Sequence, residues 1–157
     1  MIEASVKETE PMTVGFLSMR GPYAQIPQAM GQLYGFIGAS GFVPAGMPHA
    51  VYFTAPDAGP ESEALWELWA PIAGDGPDAG PDKSGLGVKH VPAQLVASTM
   101  HKGAYENIEP TYRALGEWIA AEGYQMSGPP MEIYYSDPNE VPPEEYLTEI
   151  RFPVAKP

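Results

Sequence analysis

Two glutamates in matching contexts are the residues of this chain best suited to chemistry. Glu149 lies in Tyr146–Val154 (YLTEIRFPV), and Glu67 lies in Ala64–Ile72 (ALWELWAPI). Both segments are apolar and carry a proline near the end, which predicts short β-strands. A carboxylate among apolar and aromatic side chains can hold an organic cation, or it can act as a general base that activates water.

Strand alternation decides what surrounds these carboxylates. One face of the second segment carries Ile150 and Phe152, and we expect a helix to cover it. The opposite faces comprise Leu147, Glu149 and Arg151 in one segment and Leu65, Glu67 and Trp69 in the other. If these faces enclose a cleft, we expect Glu149 to lose water and its pKa to rise. The alternative interpretation is structural, with Glu149 paired to Arg151 or to a tyrosine hydroxyl.

The two segments belong to a longer repeat. Shifting the chain by 82 residues aligns residues 14–73 with residues 96–155 without a gap, and 18 of the 60 aligned positions are identical. Such self-similarity indicates a duplicated unit. We predict one domain over residues 1–157, with a first repeat over about 12–73, a turn-rich linker over 74–91 and a second repeat over about 94–155.

Each repeat reads as strand, helix, strand, strand. The first strand, Met12–Met19 or Gln94–His101, is followed by a helix with apolar residues at three-to-four spacing. Gly41 and Gly123 lie where a left-handed residue is expected to end each helix. The predicted fold is α+β, with tandem units related by a pseudo-twofold axis, an antiparallel-rich sheet, helices on one face and a central ligand cleft.

Composition excludes several classes of function. The chain has 157 residues, 44% of them hydrophobic, with a net charge of −12 and no cysteine. The hydrophobic content predicts a folded protein. The negative charge predicts that the chain does not bind nucleic acid by itself, because no basic patch would neutralise the phosphates. We find no secretory leader and no long apolar run, so we expect no membrane span and a cytoplasmic location. We also predict no metal, because the three histidines lack ligand spacing, and no cofactor, because the sequence contains no phosphate loop or dinucleotide fingerprint.

The second repeat resembles a known family. Lys102–Tyr105, the helix ending WIAAEGY and the stretch SGPPMEIYYSDPNEVPPEEYLTEIRFPV are similar to the GyrI-like small-molecule-binding domain. That domain also forms the effector-binding half of multidrug-sensing activators of the AraC and MerR types. The resemblance implies two strand-helix-strand-strand halves that flank a ligand cleft. It also implies that an acidic residue of the last strand, here Glu149, and aromatics, here Tyr134, receive lipophilic cations.

The strand faces and turns extend this set of candidate ligand-binding residues. From the strand faces we add Glu67, Trp69, Leu147 and Arg151. Tyr23 and Tyr105 follow equivalent basic-Gly turns and are either turn anchors or cleft walls. Which faces of the strands that carry Tyr52 and Tyr134 line the cleft stays open.

Three functions agree with these residues. The favoured one is a stand-alone binding protein for a lipophilic, cationic small molecule. The second is a hydrolase of strained, cyclopropane-bearing natural products, as implied by similar stand-alone members of the family, with Glu149 activating water. The third is an interaction with a protein partner, such as gyrase inhibition. The oligomeric state stays open.

Overall fold

The computed structural model describes residues 3–54, 61–74, 78–136 and 140–156. Its main elements are β1 (Ala4–Glu8), β2 (Met12–Arg20), α1 (Ile26–Ala39), β3 (His49–Tyr52), β4 (Leu65–Ile72), β5 (Leu86–Val91), β6 (Leu95–Lys102), α2 (Glu109–Ala121), β7 (Gln125–Met126), β8 (Met131–Tyr134) and β9 (Leu147–Ala155). They fall into two compact units, called here unit A (Pro11–Pro92) and unit B (Met1–Glu10 with Ala93–Pro157). The combination confirms the predicted α+β class.

Unit A is an antiparallel sheet in the order β3-β4-β2-β5, with α1 packed against β2 and β4. The helix buries Leu33 and Ile37, as its apolar spacing predicts. Gly15 of β2 faces the helix, where a Cβ atom would lie 3.0 Å from Cγ1 of Ile37. The glycine therefore allows α1 to approach the sheet closely. The opposite face of the sheet carries Glu67, whose cross-strand partner is Ser18.

Unit B repeats this plan with the order β1-β6-β9-β8, and β7 pairs with the end of β9. Its core comprises Ala97, Leu115, Ile119, Ile150, Phe152 and Val154, and Val6 and Tyr112 pack against it. The predicted helix-covered face of β9 is thus confirmed. Glu149 lies on the other face, with Met100 as its cross-strand partner.

The edge strands differ from the sequence-based prediction. β5 falls within the predicted linker 74–91, of which residues 75–77 lie outside the described part of the chain. It pairs with β2, which lies far before it in sequence, and β1 pairs with β6, which lies far after it. The linker prediction is therefore wrong for β5. Strand pairing overrides the glycine-rich composition there, because the backbone groups of this segment are satisfied by β2.

The helix ends follow the sequence signals. Gly41 and Gly123 have φ angles of 80° and 81°, which only glycine adopts at little cost, so both predicted caps are confirmed. Each helix also carries a proline in its first turn, where no intrahelical N–H bond is lost. Among the described residues, no helix is both long and apolar enough to cross a membrane.

Candidate functional site

Glu149 is buried at the centre of a hydrogen-bonded cluster in unit B, with a side chain only 3% exposed. Arg151 donates from Nε to Oε2 at 2.7 Å and from Nη2 to Oε1 at 3.3 Å. Ser98 Oγ donates to Oε2 at 2.6 Å, and Tyr135 OH donates to Oε1 at 2.5 Å. Lys7, on the edge strand β1, places Nζ 2.8 Å from Oε2. The carboxylate therefore has two cations and two hydroxyls as partners.

These partners reverse the effect of burial on Glu149. Burial alone raises the pKa of the carboxyl. Hydrogen bonds from Arg151, Lys7, Ser98 and Tyr135 together lower the pKa by more than burial raises it, so its value is about 2. The predicted rise in pKa is therefore wrong, because the sequence did not reveal how many donors converge there. A carboxylate with so low a pKa is a poor general base, and its charge is already compensated.

Glu67 occupies the equivalent place in unit A, with different partners. Trp69 donates from Nε1 to Oε1 at 2.8 Å, and Ser18 Oγ donates to Oε2 at 3.1 Å. Lys89, on the edge strand β5, donates from Nζ to Oε1 at 2.5 Å. The same ammonium lies 4.6 Å from the ring centroid of Phe16 and 5.1 Å from that of Trp69. The predicted neighbours Glu67 and Trp69 are thus brought together.

Sequence reasoning missed the two lysines, although a signal existed. Lys7 and Lys89 are themselves 82 residues apart, and each follows a valine, Val6 or Val88. Extending the repeat upstream would have identified them as equivalent residues. In each unit the lysine of the edge strand reaches the glutamate of the last strand of the repeat.

A third carboxylate, Glu132 of β8, lies on the other face of the unit B sheet. Its cross-strand partner is Ile150, whereas Ile133 faces Glu149. Tyr112 of α2 donates its hydroxyl to Oε2 of Glu132, and Tyr134 donates to Oε1 at 2.8 Å. The glutamate is 8% exposed. Sequence reasoning missed it, although an acidic residue in the apolar strand MEIYY was a visible departure.

Tyrosine rings extend outward from Glu132. The Tyr105 ring lies 5.6 Å from Tyr134, nearly edge-on, and 5.0 Å from Tyr146. Tyr105 is 39% exposed, so this row of rings leads from solvent towards the buried carboxylate. Burial raises the pKa of Tyr105, and electrostatic interactions with Tyr146 and Glu132 raise it further. We call Glu132, Tyr134, Tyr112, Tyr105 and Tyr146 the tyrosine–Glu132 cluster.

The remaining predicted residues separate into different places. Tyr134 lies on the α2 face, and Tyr135 is the tyrosine that contacts Glu149. Leu147 lies on the Glu149 strand and is 40% exposed. In unit A, Tyr23 packs edge-on against Tyr52 with centroids 5.2 Å apart, which parallels the contact between Tyr105 and Tyr134.

Comparison with known proteins gives the family of the chain. The model of the GyrI-like small molecule binding domain matches residues 3–155. No protein of curated function matches the sequence. The crystal structure of the EcmrR C-terminal domain is similar over 100% of this chain and 99% of its own, with 22% identity and a TM-score of 0.81. EcmrR in its complex with DNA is 20% identical, with a TM-score of 0.83. This similarity covers 99% of this chain and 58% of the EcmrR chain.

Two further solved structures share the fold. A hydrolase from Listeria innocua is 16% identical, with a TM-score of 0.71 and coverage of 98% of this chain and 92% of its own. SAV2435 bound to tetraphenylphosphonium is 15% identical, with a TM-score of 0.55 and coverage of 98% and 94%. At these identities the structures establish a common fold, and the match to the family model establishes membership. The chain belongs to the GyrI-like small-molecule-binding domain family.

Proposed function

We propose that this chain binds a lipophilic organic cation, and that the tyrosine–Glu132 cluster of unit B receives it. The observation that carries the proposal is a buried carboxylate whose two oxygens accept hydrogen bonds from tyrosines, beneath a row of tyrosine rings. Ring faces attract a cation by about 0.5–2 kcal/mol each, and a carboxylate adds direct charge attraction.

Two further observations support this choice. The net charge of −12 produces a field that favours the approach of cations over that of anions. SAV2435, which shares the fold, was solved with tetraphenylphosphonium, a lipophilic cation. Family membership supports a small-molecule ligand in general.

Glu149 is a weaker candidate for the same role. Two protein cations, Arg151 and Lys7, already balance its charge, so an incoming cation would have to compete with them. Its pKa of about 2 also opposes a role as the base of a hydrolase. A ring-opening activity would therefore require a base other than Glu149. Incubation with a cyclopropane-bearing alkylator and mass analysis of the products would detect such turnover.

Substitution of Glu132 tests the proposal. Glu132→Gln keeps the shape of the side chain and removes its charge. We expect the Kd for tetraphenylphosphonium, measured by calorimetry, to rise at least about tenfold, while neutral triphenylphosphine oxide changes by less than about threefold. The matched control is Glu109→Gln, which removes an exposed charge on α2 and should leave both affinities unchanged. An unaltered Kd for the cation in folded Glu132→Gln would refute the assignment of this site.

A further inference from the structure

The ammonium group of Lys89 contacts three side chains of unit A, and the Lys89 side chain is 32% exposed. Glu67 supplies a carboxylate oxygen at 2.5 Å, and the rings of Phe16 and Trp69 lie 4.6 Å and 5.1 Å from the nitrogen. Phe16 is 4% exposed, Trp69 is 7% exposed and the Glu67 side chain is 15% exposed. We call Phe16, Glu67 and Trp69 the Lys89 cage.

This arrangement has the chemistry of a binding site for an organic ammonium ion. Aromatic faces together with a carboxylate are the groups that recognise alkylated ammonium ligands, because the rings attract the charge and tolerate the alkyl groups around it. The carboxylate is held by Trp69, whose indole N–H donates to the same oxygen that accepts from Lys89. The cage is thus pre-organised by its own members.

Unit B indicates that pairing of the lysine and the glutamate does not itself require aromatic rings. At the equivalent positions, Ser98 replaces Phe16 and Arg151 replaces Trp69, yet Lys7 still contacts Glu149 at 2.8 Å. The two rings are therefore a specific feature of unit A. They add two aromatic contacts to the ion pair between Lys89 and Glu67.

The backbone of β5 is built to hold the Phe16 ring. Gly87 is the cross-strand partner of Phe16, and a Cβ atom there would lie 2.8 Å from Cζ of the ring. It would also lie 2.3 Å from the carbonyl oxygen of Ala79. The equivalent residue in unit B is Ser5, which faces the small Ser98. Glycine at this position leaves room for the ring beside Lys89.

We propose that the Lys89 cage is a second organic-cation site, separate from the tyrosine–Glu132 cluster, and that Lys89 occupies it as a tethered ligand. A small alkylammonium ion binds there when the tethered ammonium is removed. While Lys89 is present, the wild-type cage excludes such ions. The site selects ligands by positive charge and by a short alkyl chain, since the lysine stem defines the space.

The test replaces the tether by a free ligand. Lys89→Ala removes the three terminal carbons and the nitrogen, which together correspond to n-propylammonium. We expect this ion to bind the variant saturably with a Kd of about 1–10 mM, to change its tryptophan fluorescence and to raise its Tm by a few degrees. Wild type should show neither effect over the same range. The neutral probe 1-propanol should not bind the variant.

Two further variants identify the cage as the place of binding. Lys89→Met fills the space without a charge and should not bind n-propylammonium. The double variant Lys89→Ala with Phe16→Leu should bind it several times more weakly, because one ring face is lost. Glu132→Gln combined with Lys89→Ala should bind it as Lys89→Ala does, which separates this site from the one proposed above. Equal responses of wild type and Lys89→Ala, or equal binding of 1-propanol, would overturn the proposal.

A measurement on the wild-type protein applies even where the variants fail to fold. The Lys89 nitrogen lies 4.6 Å and 5.1 Å from the centroids of two aromatic rings, so we expect the NMR resonances of the protons on the neighbouring carbon well upfield of those of an exposed lysine. Phe16→Leu should move them back towards the ordinary position. Resonances of Lys89 at ordinary lysine values in the wild type would mean that the cage is not occupied, and the proposal would fall.

Discussion

Replacement of Glu149 by glutamine gives the sharpest test of the unit B network. The variant keeps the shape of the side chain but leaves Arg151, 16% exposed, without its counter-charge, whereas Lys7, 45% exposed, can turn towards water. A pKa of about 2 against an ordinary 4.5 corresponds to about 3 kcal/mol of stability at neutral pH. Removing one partner of a buried ion pair costs about 3–5 kcal/mol, which agrees with this magnitude.

The same argument fixes the pH dependence. Because the pKa of Glu149 is lowered in the folded protein, its contribution is complete above the ordinary pKa of 4.5 and is lost as the pH falls through about 2. Urea unfolding of wild type and Glu149→Gln at pH 7, 5, 3 and 2 should therefore give two curves that converge towards low pH. The difference in unfolding free energy should fall from about 3 kcal/mol towards zero.

An exposed ion pair provides the control for this experiment. Glu109 contacts Arg113 at 3.0 Å on α2, and the two side chains are 80% and 68% exposed. Glu109→Gln should cost at most about 0.5 kcal/mol, because solvent screens such a pair. The reasoning would be refuted if Glu149→Gln cost no more than this control, or if its stability curve ran parallel to that of the wild type across the whole pH range.

Two further predictions concern single groups. Tyr135→Phe removes a hydroxyl that donates to Glu149 at 2.5 Å, so the pKa of that carboxyl should rise and the free energy of unfolding should fall by about 1 kcal/mol. NMR titration and urea unfolding measure these two changes, and an unchanged pKa would contradict the prediction. Gly85→Ala should destabilise the protein more than Gly41→Ala. The φ angles are similar, 87° at Gly85 and 80° at Gly41. A Cβ atom at Gly85 would lie 2.5 Å from the carbonyl oxygen of Ser18, whereas one at Gly41 would meet nothing within 4 Å. Equal losses in urea unfolding would contradict that account.

Local patterns in the sequence predicted much of the fold. The spacing of apolar residues located both helices, and the glycines at 41 and 123 marked their ends. Strand alternation correctly assigned Ile150 and Phe152 to the helix-covered face and joined Glu67 with Trp69. These features depend on residues close together in the chain, so a period or a turn residue is enough to reveal them.

Local patterns could not predict the partners of Glu149 and Glu132. Lys7 reaches Glu149 only because β1 pairs with β6, and no local pattern encodes a pairing between strands so far apart in sequence. Adjacent tyrosines posed another difficulty, because Tyr134 and Tyr135 point to opposite faces and the sequence gives both the same residue type. The direction of the pKa shift of Glu149 depended on these contacts and was therefore mispredicted.

The pairing of an edge-strand lysine with a glutamate, which occurs in both units, has a consequence for strand register. β1 has few side chains that specify its register, and a slip by one residue would move Val6 out of the core and turn Lys7 to the α2 face. In the observed register Val6 joins the core while Lys7 meets Glu149. A slipped strand would bury an ammonium among apolar side chains and leave the carboxylate short of a donor, and both changes are costly. The ion pair thus selects one register for a short edge strand.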